Sequence, residues 1–538
     1  MTSADIRFDD LLAIHRARGP QSVVCWREDG REVPLSEFEG LIGGAADWLR
    51  AHGVARGDRI AVMMLNRVEW LAILFAAARI GAAVAVVNTR YRAGEVHHIL
   101  KSSGAKLFVL QHDGQKPDFL SIVAEVPGDD LPALEAFAIV GENPPGTLLG
   151  RPCHALAVTP RAPGPDAESA PSDPVILFTT SGTTSLPKLV AHAQKTIGLH
   201  AVATRETLRF EELPPRGYLA ALPFCGVFGL NPAMAAIGFG VPVQLVTLFD
   251  AALAARLIRE RELSHMVGSD EMYRRIFEHD AAVLPTMTLC GFGAFTPGCA
   301  EVLETAAAAG APLVGVYGSS EVNAIFAIQP PHLPVAERLR GGGMTAVLDE
   351  PRVRIVHPDT GADCAAGETG HLHIAARSNF IGYFANPEAT AKAVDDEGFF
   401  NTGDMAYRRE DGSFVYVART GDAIRLSGFL TDPGEIEEAL KVHGGLREVQ
   451  VIGVEIDGQP RAAAFVRRDP DAPLDIAAVM AALKPRIAAY KLPARIWEIE
   501  AFPTVPSANG VKIQRTALRQ WALARLKEEE SAQEGAEA

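Results

Sequence analysis

The sequence predicts an α/β fold spread over more than one domain, and three observations carry that prediction. Apolar runs at 60–65 and 82–87 flank a helical stretch, Val68–Ile80, which is the strand–helix–strand order of a βαβ unit. Those runs do not alternate with polar residues, so they read as strands of a parallel sheet covered on both faces. A chain of 538 residues, 48% apolar and 22% charged, is also too long for one compact core.

Composition excludes several functions. The formal charge is −15 and no dense Lys/Arg cluster is present, which argues against a nucleic-acid partner. Cys25, Cys153, Cys225, Cys290, Cys299 and Cys364 are scattered without a CxxC pair, so neither a zinc site nor a disulfide framework is expected, and a cytoplasmic location fits. The first residues lack the basic and apolar segments of a signal peptide. The apolar run 70–87 is interrupted by Arg79 and Gly81, so it reads as a buried helix and strand and no integral membrane segment is expected.

In chain order, Val23–Trp26 reads as a strand, Asp29-Gly30 as a turn and 36–52 as an amphipathic helix. Gly81 is placed to close the helix before it in the left-handed conformation. A helix over 95–102 and a strand over 106–110 follow, and 141–174, rich in Pro and Gly without periodicity, reads as a surface connection. A short buried strand over 175–178 then runs into Thr179-Thr-Ser-Gly-Thr-Thr-Ser-Leu-Pro-Lys188. Hydroxyls around a glycine, closed by a lysine, suit a loop that turns N–H and side-chain donors toward an anion. The P-loop pattern GxxxxGK[ST] is absent, because Lys188 follows Pro187. A polar strand-to-helix turn would account for the same composition. Toward the C-terminus, strands over 449–454 and 462–466 and a helix over 476–489 precede a Glu/Ala/Ser/Gly-rich tail from Lys527 that reads as frayed.

The stretch 180–188 resembles the phosphate-binding signature Thr-Ser-Gly-Thr-Thr-Gly-x-Pro-Lys of the adenylate-forming enzymes, the superfamily of acyl-CoA synthetases, luciferases and peptide-synthetase adenylation domains. Ser185 stands for the second glycine. Other segments match in family order. The resemblance implies that Thr180, Ser181, Gly182, Thr183, Thr184 and Lys188 hold the phosphates of ATP, with Gly293 and Ala294 passing the adenine. Tyr317-Gly-Ser-Ser320-Glu321 is similar to Tyr-Gly-x-Thr-Glu, which implies Tyr317 against the adenine, Ser320 as a donor to the forming phosphate ester and Glu321 as a Mg²⁺ ligand. Thr402-Gly403-Asp404 and Arg419 resemble the ribose-binding pair.

The same resemblance implies an acyl pocket of Phe224, Cys225, Gly226, Val227, Phe228, Gly315 and Val316. Gly226 stands where a histidine is usual, and no aspartate is present to hold an α-ammonium, so a hydrophobic acid is expected. Gly421 aligns with the hinge, Arg425, Ser427, Gly428 and Phe429 with the CoA channel, and Lys512 with the catalytic lysine. His371 and His373 alternate on a strand without a third ligand, so no metal site is expected there.

The implied architecture is a large N-terminal domain of stacked β-sheets flanked by helices over 1–419, and a small, mobile α+β C-terminal domain over 420–538. The implied activity is ATP- and Mg²⁺-dependent adenylation of a fatty or aromatic acid followed by transfer to CoA. A ligase loading a carrier protein, a luciferase-like oxygenase and a non-catalytic paralogue are the competing readings, and homodimerisation is left open.

Overall fold

The computed structural model describes residues 6–114, 117–161, 169–180, 187–295, 299–420, 424–426, 429–431, 433–441, 445–456, 459–470, 474–484, 487, 489–507 and 510–537. The chain forms two compact units. The first comprises Met1–Ala294, Val302–Arg352 and Ile374–Phe400; the second comprises Phe295–Glu301, Val353–His373 and Asn401–Ala538.

In the first unit, one sheet has nine strands. Its order is Gly382–Tyr383, Leu189–Ala193, Pro174–Thr179, Ala83–Val86, Arg59–Met63, Leu107–His112, Ala136–Gly141, Arg151–Ala155 and Thr147–Leu148. From Pro174–Thr179 to Arg151–Ala155 all neighbours are parallel, and the outer pairs are antiparallel. The expected βαβ unit is its centre: Val68–Ile80 crosses over between Arg59–Met63 and Ala83–Val86 and stops at Gly81, whose φ of 83° is left-handed.

A second sheet in this unit runs in parallel through Leu313–Tyr317, Leu289–Gly293, His265–Ser269, Tyr218–Ala220, Val243–Leu245 and Val23–Trp26. Helices join the two layers. Gln194–Thr207 packs on Leu189–Ala193 of the first sheet and on Val227–Gly238, which packs on three strands of the second. Every residue of Val227–Gly238 before Gly238 is buried, as is every residue of Val68–Ile80 except Glu69 and Arg79. Helices apolar on all sides need apolar neighbours on all sides, which a layer between two sheets supplies.

The second unit holds residues 370–373 of the strand Gly370–Ala375, residues 401–408 of the strand Phe400–Arg408, the strand Phe414–Arg419, and a C-terminal α+β module. There Leu446–Ile456 pairs antiparallel with Gln459–Arg468, which pairs parallel with Arg495–Glu498. Ile436, Leu440, Val451, Val466 and Val479 form one core of this module, and Phe465, Trp497, Leu518 and Ala522 form another.

The structure corrects three expectations and one alternative reading. The 141–174 connection contains a hairpin, Thr147–Leu148 with Arg151–Ala155, which extends the first sheet at its edge, where Pro152 is tolerated. The loop after Thr179 joins two antiparallel strands rather than a strand to a helix. The helix from Ile476 ends at Leu483, since Pro485 has no amide with which to extend the ladder. The tail is helical: Arg515–Glu537 is one helix, rich in good helix formers and pinned where Glu529 accepts bonds from Arg495 (2.7 Å) and Trp497 (3.0 Å). Among the described residues no helix is long and apolar enough to cross a membrane.

Candidate active site

In the first unit the phosphate-loop segment springs from the end of Pro174–Thr179. Its base is closed by backbone and side chain together: Thr180 N donates to Lys188 O (3.0 Å) and Lys188 N donates to Thr180 Oγ1 (3.0 Å). Two flanking side chains steady this base. The Tyr91 hydroxyl donates to Thr179 Oγ1 (3.2 Å), and His98 Nε2 donates to the Pro187 carbonyl (2.9 Å). Ser181, Gly182, Thr183 and Thr184, with Ser185, lie outside the described residues.

Glu321 follows the end of Leu313–Tyr317, and the turn carrying it is tight. A Cβ on Gly318 would stand 1.4 Å from the Ala324 carbonyl oxygen, so only glycine fits there. Glu321 is 8% exposed. Its Oε1 accepts the Tyr383 hydroxyl proton at 2.9 Å, and its carbonyl accepts from Phe380 N at 2.8 Å. Lys188 Nζ lies 4.6 Å from the centroid of the Tyr383 ring, within cation–π range. Tyr383 belongs to the edge strand of the first sheet and Glu321 to the strand end of the second, so one phenol ties the loop lysine to the strand-end carboxylate.

His192 adds a second tie. It is fully buried, and desolvation pushes its pKa down to about 4 against a weaker pull from the Ser320 carbonyl. The neutral ring must carry its proton on Nε2, because that nitrogen faces the Ser320 carbonyl oxygen at 2.7 Å. Ser320 and Glu321 are thus gripped from the first sheet at backbone and side chain.

Gly293, Ala294 and Tyr317 come together at the carboxyl ends of adjacent parallel strands, where Phe292 is in register with Gly315. The mouth of an open α/β sheet lies at such ends. Tyr317 is buried. Gly315 and Val316 point to opposite faces of their strand: a Cβ on Gly315 would meet Arg340 O at 1.9 Å, whereas Val316 faces Gly291. In the acyl segment, Phe224, Cys225, Val227 and Phe228 are all buried. Asn66 holds the approach, with Oδ1 accepting from Phe224 N (2.8 Å) and Nδ2 donating to Leu222 O (2.8 Å). Gly226 is the residue before Val227–Gly238, in extended conformation at φ −112°. Burial pushes the Cys225 thiol up, so it is a packing residue rather than a nucleophile.

In the second unit, Asp404 and Arg419 are register partners in one hairpin. Arg419 Nε lies 3.1 Å from Asp404 Oδ1, and its Nη1 donates to Thr402 O at 2.9 Å. Asp404 is 5% exposed in its side chain and Arg419 54%, so the carboxylate is the fixed member of the pair. Lys512 lies on the hairpin Thr504–Ser507/Gly510–Ile513, opposite Val505. Just beyond it, Arg515 Nη2 donates to Glu437 Oε1 (2.9 Å), which also accepts from Val451 N (2.8 Å). Arg425 and Phe429 pair across the hairpin Ile424–Leu426/Phe429–Thr431. The side chains of Lys512, Arg425 and Phe429, and residues Gly421, Ser427 and Gly428 entirely, lie outside the description.

The profile of the AMP-binding enzyme family matches residues 14–384, and that of the AMP-binding enzyme C-terminal domain matches residues 435–509. The chain belongs to the AMP-binding enzyme family. This AMP-binding enzyme is similar to a 4-coumarate–CoA ligase of Oryza sativa subsp. japonica, at 28% identity with 91% of this chain and 88% of that one covered. It is similar to a 2-succinylbenzoate–CoA ligase of Geobacillus kaustophilus at 30% identity, with 88% and 91% covered. Its fold is that of ATP-bound MatB from Rhodopseudomonas palustris, with a TM-score of 0.77 at 24% identity over 96% of this chain and 99% of that one. The adenylate-forming resemblance of the sequence motifs is thereby confirmed.

Sequence reasoning did not single out Tyr383, His192 or His98 in this AMP-binding enzyme. Gly382-Tyr383 carries no charge or run of hydroxyls to draw attention, and His192 looks like any histidine in an apolar strand.

Proposed function

We propose that this enzyme is an ATP-dependent carboxylate–CoA ligase that adenylates a hydrophobic acid, fatty or aromatic, and then forms the acyl-CoA thioester. The observation that carries the reading is the single Tyr383 ring shared by Lys188 and Glu321, which unites two motifs more than a hundred residues apart at one place. A lysine and a carboxylate set beside a hydroxyl-rich loop suit a metal-bound triphosphate.

Glu321 fits a Mg²⁺ of the kind that keeps most of its waters and bridges substrate phosphates. It offers one carboxylate oriented by one hydrogen bond, and among the described residues no three His, Cys, Asp or Glu gather into a closed cage. When bound, Mg²⁺ would offset phosphate charge as the two anions approach. Lys188 and the donors of Thr180–Thr184 hold the phosphates, Tyr317 with Gly293 and Ala294 faces the adenine, and Asp404 with Arg419 takes the ribose. Ser320 donates to the forming phosphate ester. The Lys512 ammonium stabilises charge at the α-phosphate during the in-line attack. The 420–538 domain then turns about Gly421 so that CoA reaches the acyl-AMP past Ser427, Gly428 and Phe429. A cytoplasmic location would supply ATP and CoA and keep the cysteines reduced.

The test mixes the protein with ATP, Mg²⁺ and each of a panel of aliphatic and aryl acids, reads pyrophosphate, then offers CoA or a phosphopantetheinyl carrier protein. Pyrophosphate with a hydrophobic acid and thioester with CoA are expected. Thioester on the carrier alone replaces CoA ligation by carrier loading, and no pyrophosphate across the panel refutes adenylation.

A further inference from the structure

The turn that presents Glu321 is held in an unfavourable backbone. Asn323 and Ala324 have φ of 63° and 64°, two consecutive left-handed residues neither of which is glycine. L-residues avoid that region, and alanine has no side-chain bond with which to compensate. Such a conformation persists only where its surroundings over-determine it. Here they do. Ala324 N donates to Ser319 O (2.9 Å), and Asn231 Nδ2 donates both to Asn323 O (3.1 Å) and to Asn323 Oδ1 (3.0 Å). Asn323 Nδ2 in turn donates to Ser378 O at 2.6 Å.

Ser378 begins the segment that grips Glu321 twice more, through Phe380 N on its carbonyl and the Tyr383 hydroxyl on its carboxylate. The start of that segment is itself fixed by a buried acid. Asp349, 3% exposed, accepts from Ser378 N at 2.8 Å through Oδ1 and from Ser378 Oγ at 2.5 Å through Oδ2. A carboxylate is the strongest acceptor a protein can set against a backbone amide and a hydroxyl, and it is costly to bury without such partners. Asp349, Ser378 and Asn323 therefore form an unbroken relay to the Glu321 turn.

We propose that Asp349 and Asn323 are positioning residues that keep the Glu321 carboxylate aimed for metal-bound ATP. The inference rests on the reading of Glu321 given above. Neither residue touches substrate, and each acts through the hydrogen bonds of Ser378.

The test measures ATP binding by calorimetry on the full chain, with Mg²⁺ and again with EDTA, so no acid substrate is needed. Asn323→Gly is the first variant, because glycine accepts the left-handed backbone and loses only the amide contacts. Asp349→Asn is the second, and the pair together is the third. Each single variant is expected to lose fivefold or more in affinity for Mg·ATP and less than twofold for ATP in EDTA. The double variant is expected to lose no more than the worse single one, as members of one relay do. Equal losses with and without Mg²⁺ would reduce both residues to general structural support and overturn the proposal. So would losses below twofold, or fully additive ones. Glu321→Gln separates the two levels: if it leaves Mg·ATP binding unchanged, the reading of Glu321 fails, whereas a loss in Glu321→Gln without one in Asn323→Gly sinks the relay alone.

Discussion

Replacing Tyr383 by Phe removes the hydroxyl from the centre of the candidate site and leaves the ring. The bond lost is a 2.9 Å donation to Glu321 Oε1, a carboxylate that is 8% exposed. A hydrogen bond to a charged, largely buried acceptor contributes about 1.5–3 kcal/mol, and loss of a group that orients a metal-ligating carboxylate costs about 10–100-fold in affinity or activity. The two estimates agree, since about 1.4 kcal/mol is a factor of ten. Initial rates of pyrophosphate release against Mg·ATP, with the acid saturating, should therefore show kcat/KM for Mg·ATP down by roughly tenfold to a hundredfold. The melting temperature should barely move, because Tyr383 keeps its strand pairing with Val190. Tyr383→Leu also removes the face beneath Lys188 Nζ and should lose about 0.5–1 kcal/mol more, the scale of an exposed cation–π contact. A Phe variant within twofold of wild type, or a Leu variant no worse than Phe, would refute the role assigned to the ring.

Lys512→Ala should lose adenylation by roughly two to three powers of ten, the scale of one preorganised charge-stabilising donor, while thioester formation from synthetic acyl-AMP is spared; equal losses in both half-reactions count against the assignment. Gly226→His is a clean probe of the pocket because Gly226 has an extended backbone that any residue adopts. It should exclude the bulkier acids first, and an unchanged preference across the panel removes Gly226 from the site. Asp349 gives a pH signature. Desolvation lifts its carboxyl to about 6, opposed by its bonds from Ser378 and the charge of Arg377, and reinforced by Glu350. The native state then holds this proton more tightly than the unfolded chain, so the contribution to stability is full only below the ordinary value of 3.8 and is lost as pH rises to about 6. At about 1.4 kcal/mol per pKa unit the loss is about 3 kcal/mol. Unfolding free energies from urea titrations of Asp349→Asn relative to wild type should gain by that amount between about pH 3 and 7; parallel pH profiles would show that Asp349 does not titrate there.

How much was legible depended on the reach of the interactions. The βαβ centre was readable because apolar runs and a glycine stop act within a few residues, and helix Val68–Ile80 has the bounds the spacing gave. Lys188, Glu321, Asp404 and Lys512 could be singled out because each sits in a short motif. Tyr383 was not, since its partner Glu321 is 62 positions away, and His192 reaches Ser320 across 128. The same limit hid the 147–155 hairpin, whose strand Arg151–Ala155 exists only because Ala136–Gly141 offers it an edge. Gly315, given to the acyl pocket by the resemblance, lies where a Cβ would meet a backbone carbonyl. Small residues mark close approach, and sequence alone does not say to what.

The helix Val68–Ile80, apolar on nearly every side, has a consequence during biosynthesis. It is made early, yet Pro174–Thr179, which packs on it, comes far later in the chain, and the strand Val23–Trp26 waits longer still for its partner. Val23–Trp26 pairs with Val243–Leu245, and Arg27 meets Gln244 across 217 positions. At 5–20 residues per second, a ribosome takes roughly 10–40 s to bridge that interval. For that time a strand edge and an oily helix are exposed together outside the exit tunnel. A ribosome-bound nascent chain arrested before residue 243 should therefore bind hydrophobic dyes and holdases, and one arrested past residue 400 should not.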